Sequence, residues 1–321
     1  MRNKKIILAG GTGFIGQALA AWFGKDNETV ILSRSVNYPE ADSGYNIRYC
    51  RWDGKTVEPH WAREIDGADI VINLAGRSVN CRYTPQNRQE ILDSRIDATT
   101  ALGQAIQKAV VPPKLWINAA SATIYRHAED RPQDEYTGEF HDDFSVRVCK
   151  AWEKAFEAQR TPFTRKIGLR LAITLGKGGA LIPYLRLAKL GLGGPQGNGR
   201  QLFSWIHTDD LCRCVEWFFD HPELEGIYNL SSPRPVSNAV FMEALRKAVG
   251  RSIGLPAPEW LLRIGAALIG TETELILKSR WVLPTKLQEA GFSWRYGRIE
   301  EAIEDLVVVG RDTIQRSRRN D

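Results

Sequence analysis

Three glycines spaced three apart, Gly10, Gly13 and Gly16, lie between the apolar run Ile6-Ile7-Leu8-Ala9 and the amphipathic stretch Phe14 to Phe23. This spacing suits the grip of a pyrophosphate. The first glycine permits a tight strand-to-helix turn, the second lets the backbone approach an anion, and the third lets helix and strand pack closely. The helix N-terminus adds N–H groups without intrahelical partners and the positive end of its dipole. Gly10, Thr12, Gly13, Phe14, Ile15 and Gly16 are the expected contacts of a bound dinucleotide.

The adenosine end of such a ligand is read about twenty positions further on, where an acid commonly accepts from a ribose 2′-OH. This chain has Ser33-Arg34 there. A guanidinium pairs with a 2′-phosphate and a serine hydroxyl donates to it, so NADP(H) is expected over NAD(H). Asp53, in Arg51-Trp52-Asp53-Gly54, either meets the adenine amino group or forms the turn its Asp-Gly pair favours. Leu74, Ala75 and Gly76 end the fourth strand, where a glycine lets the chain pass close to the cofactor. Arg200 has the chemistry to hold an anionic substrate group, or a surface ion pair. His207 either caps or orients the helix that follows or serves as a proton donor. Arg280, beside Trp281, either lines a substrate pocket or lies at the surface.

Positioning these groups requires alternating strands and helices. Apolar β-rich runs recur at Lys5 to Ala9, Thr29 to Ser33, Ile47 to Arg51, Asp69 to Leu74, Lys114 to Ala119 and Lys166 to Leu171, with helical patterns such as Gln86 to Ala109 between them. Such alternation predicts an α/β fold, a Rossmann-type doubly wound parallel sheet built with right-handed crossovers. The Rossmann domain is expected over residues 1–175, with the chain returning to it near 200–232. A smaller, Gly- and Pro-punctuated C-terminal substrate lobe is expected over 176–310, and a basic flexible tail over 311–321.

The chain has 321 residues, 43% hydrophobic and 25% charged, with a net charge of +5. These values fit a globular protein. Lys/Arg and Asp/Glu are interleaved, which argues against a nucleic-acid surface. No apolar run approaches membrane-spanning length and no leader pattern is visible, so a cytoplasmic protein is expected. The five cysteines form no paired CxxC pattern, so no metal site is expected.

The sequence resembles the extended short-chain dehydrogenases/reductases, and within them an atypical branch of sugar-nucleotide epimerase-like "epimerase family proteins" with a C-terminal segment of unknown function. The resemblance rests on Gly10 to Gly16, Ile72 to Gly76, Asp93-Ser94-Arg95, Ser121-Ala122-Thr123 and Trp152-Glu153. It continues through Leu192 to Pro195, Gly199-Arg200-Gln201, Ser204 to His207 with Asp209-Asp210, and Ala290-Gly291-Phe292. It implies an NADP(H)-binding domain, a small-molecule substrate and, through the helices flanking the sheet, a surface on which relatives form homodimers.

Typical members transfer a hydride with a tyrosine acid/base and a lysine four residues later that lowers its pKa. None of the nine tyrosines here has a lysine at that spacing. With Glu153 set on the glutamate that often follows the lysine, the lysine position is Cys149 and the tyrosine position Ser145. Neither group does the usual work: a serine is a poor acid and a neutral thiol supplies no positive field. The resemblance makes Ser121 the expected polar contact at the reaction centre. Tyr125 is either a replacement acid or a structural tyrosine. Two readings follow: an NADP(H)-dependent oxidoreductase or epimerase with an unorthodox acid, or a non-catalytic NADP(H)-binding redox sensor.

Overall fold

A computed structural model describes residues 1–35, 44–262 and 277–307, so the tail expected over 311–321 lies outside the described residues. The order of elements is β1 (Lys5–Ala9), α1 (Phe14–Phe23), β2 (Glu28–Ser33), β3 (Ile47–Arg51), α2 (Pro59–Ile65), β4 (Ile70–Asn73), α3 (Pro85–Lys108), β5 (Leu115–Ser121), α4 (Phe144–Glu157) and β6 (Arg165–Leu171). Then come β7 (Ile173–Leu175), α5 (Leu181–Lys189), β8 (Leu202–Phe203), β9 (Trp205–His207), α6 (Thr208–Asp220), β10 (Gly226–Leu230), β11 (Val236–Ser237), α7 (Asn238–Ala248) and α8 (Thr285–Glu289).

Seven of these strands form one sheet in the order β3-β2-β1-β4-β5-β6-β10. All six pairings are parallel. The order reverses between β1 and β4, and the ligand crevice of an open α/β sheet lies at the C-terminal ends of such strands. Alternation along β1 shows why the strand reads as a continuous apolar run. Ile6 and Leu8 pack with Leu19 and Phe23 of α1 and Leu211 and Phe218 of α6, whereas Ile7 and Ala9 pack with Trp61 of α2 and Ala98 and Leu102 of α3. Both faces are buried, as βαβ crossovers require.

Local chemistry fixes the helix ends nearest the crevice. Thr84 caps α3 by accepting from the Asn87 N–H, and Pro85 occupies the first turn. Asp143 caps α4 through the Val146 N–H at 2.9 Å. Later in the chain, α6 packs against α1 and β10 pairs with β6 at the edge of the sheet. The smaller lobe has its own core, in which Phe203 stacks on Phe241 at 4.2 Å between ring centroids, beside Leu175, Leu181 and helical residues 299–307. Two further sheets have two short strands each, β7 with β9 and β8 with β11. No helix among the described residues is long and apolar enough to cross a membrane.

Candidate dinucleotide site and reaction centre

The three glycines of the first turn are needed for different reasons. Gly10 has φ of +75°, and a Cβ there would lie 2.8 Å from the Ala75 nitrogen. A Cβ on Gly16 would overlap the backbone of Gly11. Gly13 is different: its φ is −76°, and the nearest atom to an added Cβ is the Gly10 carbonyl oxygen at 3.6 Å. The chain alone would therefore accept a side chain at position 13. Gly13 is also the N-cap of α1, and no side chain caps that helix. An open cradle in front of uncapped N–H groups fits a phosphate-bearing ligand.

The opposite wall is the β4 end, held from beneath by amides. Asn73, fully buried, accepts from the Ala75 N–H at 3.0 Å and donates to Asn118 at 2.7 Å and Thr99 at 3.1 Å. The Trp152 indole N–H donates to the same Thr99 hydroxyl at 3.1 Å. Leu74, Ala75 and Gly76 thus come to the crevice beside Gly10. Ser33 ends β2 and its hydroxyl accepts from the Ser35 N–H at 3.3 Å; Arg34 follows it, exposed. Asp53 accepts from the Lys55 and Thr56 N–H groups at 2.9 and 2.8 Å, so its carboxylate closes the turn after β3.

At the end of β5 the Ser121 hydroxyl accepts from the Thr123 N–H at 3.2 Å and also bonds Cys149, one turn along α4 from Ser145. Burial pushes the Cys149 thiol up to about 12, and Glu153 adds to the rise, against the pull of Arg95, Lys278 and Ser121. The thiol is therefore neutral at ordinary pH and offers neither a nucleophile nor a base.

Tyr125 packs in the same buried cluster as Ala122, Val146 and Cys149, and its hydroxyl is already paired. Its hydroxyl donates to Asn229 at 2.9 Å and accepts from Arg170 at 2.8 Å. Burial raises it to about 12. Arg170 in turn grips Glu153 with two bonds of 2.8 Å. This buried Tyr–Arg–Glu chain ties β6, α4 and β10 together. Sequence reasoning missed Arg170; its one signal is a charge inside the apolar strand Ile167 to Leu171.

His207 is a cap. Its Nδ1 accepts from the Asp209 N–H at 3.1 Å and its ring centroid lies 3.9 Å from that of Tyr296, so His207 is the N-cap residue of α6. Burial lowers its pKa against the pull of Asp209 and Asp305. Arg200 is exposed, and its N–H donates to Asn198. Arg280 is 7% exposed, with its N–H donating to the Leu202 carbonyl in a bridge to β8, so it lies in the join between lobe and domain. No cluster of potential metal ligands occurs among the described residues.

Arg95 of α3 was part of the resemblance but had no role assigned to it. Its Nη1 donates to the Ile91 and Arg77 carbonyls at 2.8 and 3.1 Å, and its guanidinium lies 5.1 Å from the Trp152 ring centroid. On the other side, a Cβ on Gly76 would meet the Arg95 side chain at 3.2 Å.

Comparison with known proteins agrees with this geometry. The sequence profile of the NAD dependent epimerase/dehydratase family matches residues 6–231, and a domain of unknown function, DUF1731, matches 257–306. Epimerase family protein YfhF of Bacillus subtilis is 32% identical over 308 residues, covering 94% of this chain and 98% of that protein. Epimerase family protein SDR39U1 of Mus musculus is 30% identical over 318 residues, covering 95% and 100%. The crystal structure of human epimerase family protein SDR39U1 (isoform 2) with NADPH superposes with a TM-score of 0.81 at 28% identity, covering 96% of this chain and 99% of that one. The chain belongs to the NAD dependent epimerase/dehydratase family.

Proposed function

We propose that the protein binds NADP(H) and is an oxidoreductase or epimerase of a small polar substrate, working without the usual tyrosine–lysine pair. The observation that carries the cofactor reading is Gly13: a glycine at an ordinary φ, with room for a Cβ, at the uncapped start of a helix. Ser33 and Arg34 at the end of β2 supply a hydroxyl and a cation suited to a 2′-phosphate. The human relative's crystallisation with NADPH supports the same choice.

When bound, the nicotinamide supplies a hydride donor or acceptor. The chain's own contribution is orientation. The α1 N-terminus and Gly13 hold phosphate, Asn73 fixes the Ala75 wall, and the Ser121 hydroxyl donates to a substrate oxygen at the end of β5. With the Cys149 thiol held neutral and the Tyr125 hydroxyl paired with Asn229 and Arg170, the proton is assigned to the substrate itself or to water.

The same two observations favour a second reading, a non-catalytic sensor of NADP redox state. Mass spectrometry of the protein as purified, followed by exposure of its NADPH complex to a mixed metabolite pool, separates the two. Consumption of the reduced-nicotinamide absorbance supports the enzyme, whereas a tightly held NADPH that no metabolite oxidises supports the sensor. A protein that retains no dinucleotide and takes up none overturns both.

A further inference from the structure

Arg95 is a cation that the chain holds at the crevice without neutralising it. Its hydrogen bonds run to two backbone carbonyls, and among the described residues it has no carboxylate within ion-pair distance. A guanidinium partly withdrawn from water in this way calls for an oxygen-rich ligand. Its position is also fixed. Trp152, over which it lies, is tied by its indole N–H to Thr99, one turn along α3 from Arg95 itself. Cys149 and Trp152 are three apart on α4 and so share a face of that helix, and the charge of Arg95 is felt at the Cys149 sulfur. A Cβ on Gly76, the last residue of the β4 wall, would lie 3.2 Å from the Arg95 side chain. The guanidinium is therefore close both to the dinucleotide wall and to the face of α4 that carries the position where a lysine is missing.

We propose that Arg95 is a dinucleotide-binding residue that supplies from α3 the positive charge absent at Cys149, donating to cofactor oxygens on the Ser121 side of the crevice. This rests on the NADP(H) reading above. Nε and Nη2 of its guanidinium, without a hydrogen-bond partner among the described residues, suit ribose hydroxyls or phosphate oxygens, and a cation there needs no proton exchange to act.

The test is titration of NADPH into wild type, Arg95→Gln and the double variant Arg95→Gln/Cys149→Lys, with thermal unfolding of each ligand-free protein as a fold control. Arg95→Gln is expected to weaken NADPH about tenfold or more while leaving the NADPH-to-NADH preference unchanged. Adding Cys149→Lys is expected to recover most of the loss, although it restores neither bond to Arg77 or Ile91. Unchanged affinity in Arg95→Gln overturns the assignment, and so does a folded double variant that recovers nothing. Should Arg95→Gln fail to fold, Arg95→Lys replaces it: near-wild-type affinity supports a charge at this position, and a tenfold loss in a folded protein overturns it. A wild type that binds no NADPH removes the cofactor reading itself, which is distinct from wild-type binding that Arg95→Gln leaves intact.

Discussion

The side-chain oxygen of Asn73 accepts the Ala75 N–H at 3.0 Å, and this one bond links the buried centre of the sheet to the wall of the crevice. Ala75 is the residue against which Gly10 is pressed, so the amide sets how closely the β4 end and the first glycine turn approach. Asn118 and Thr99 hold the other end of the amide, and Thr99 holds Trp152.

Asn73→Ala leaves the Asn118 and Ala75 groups without this partner in a buried setting. The expected cost is about 1–3 kcal/mol in urea unfolding, with weaker NADPH binding at the same time. Full stability with intact binding would show that water replaces the amide.

Gly13 and Gly16 should separate folding from binding. Gly13→Ala is expected to cost no more than about 1 kcal/mol, the ordinary penalty of Ala at a helix N-cap, since φ is −76° and the nearest atom is 3.6 Å away. It should nevertheless weaken NADPH about tenfold or more by filling the cradle. Gly16→Ala should do the opposite, destabilising the ligand-free protein because its Cβ has no room. Unfolding midpoints and NADPH titrations of both variants check this.

Tyr125→Phe removes a donor to Asn229 and an acceptor for Arg170. Stability should fall by about 1–3 kcal/mol while NADPH affinity stays unchanged. A full-stability variant that loses turnover of any oxidisable substrate would return Tyr125 to the reaction.

Alkaline pH should destabilise the fold. The Cys149 thiol rises from 9.0 to about 12 on folding and the Tyr125 phenol from 10.0 to about 12, both through burial. Above each unfolded value the unfolded chain binds fewer protons than the native one, so unfolding free energy falls as pH rises. This stabilisation is fully present below pH 9 and is lost between 9 and 12, at up to about 1.4 kcal/mol per pH unit for each group. Urea midpoints measured on either side of pH 9 test the sign. Thiol labelling near neutrality should find the buried Cys149, Cys212 and Cys214 protected until unfolding, and the partly exposed Cys50 and Cys81 reactive.

The inner strands of the sheet were legible because they are buried on both faces and read as short apolar runs. Lys5–Ala9 and Ile47–Arg51 coincide with the expected bounds. The glycine turn was legible because the chain itself demands glycine at positions 10 and 16, and the spacing then points to position 13. The joins between domain and lobe were not, since they are single bridges between distant segments, Phe203 with Arg280 and Gln133 with Val282, without a periodic pattern. Tyr125, Arg170 and Glu153 lie on separate elements and meet only when α4 and β6 pack. Arg95 was visible as part of a motif, yet its place between Gly76 and Trp152 depends on how α3 crosses the end of β4.

The central claim is that this crevice selects NADP(H) through Ser33 and Arg34. Its most direct test is fluorescence titration of NADPH and NADH into the wild type and Arg34→Ala. NADPH is expected to bind about tenfold or more tightly than NADH, with most of that difference lost in Arg34→Ala. NADH binding as tightly as NADPH to the wild type would contradict it.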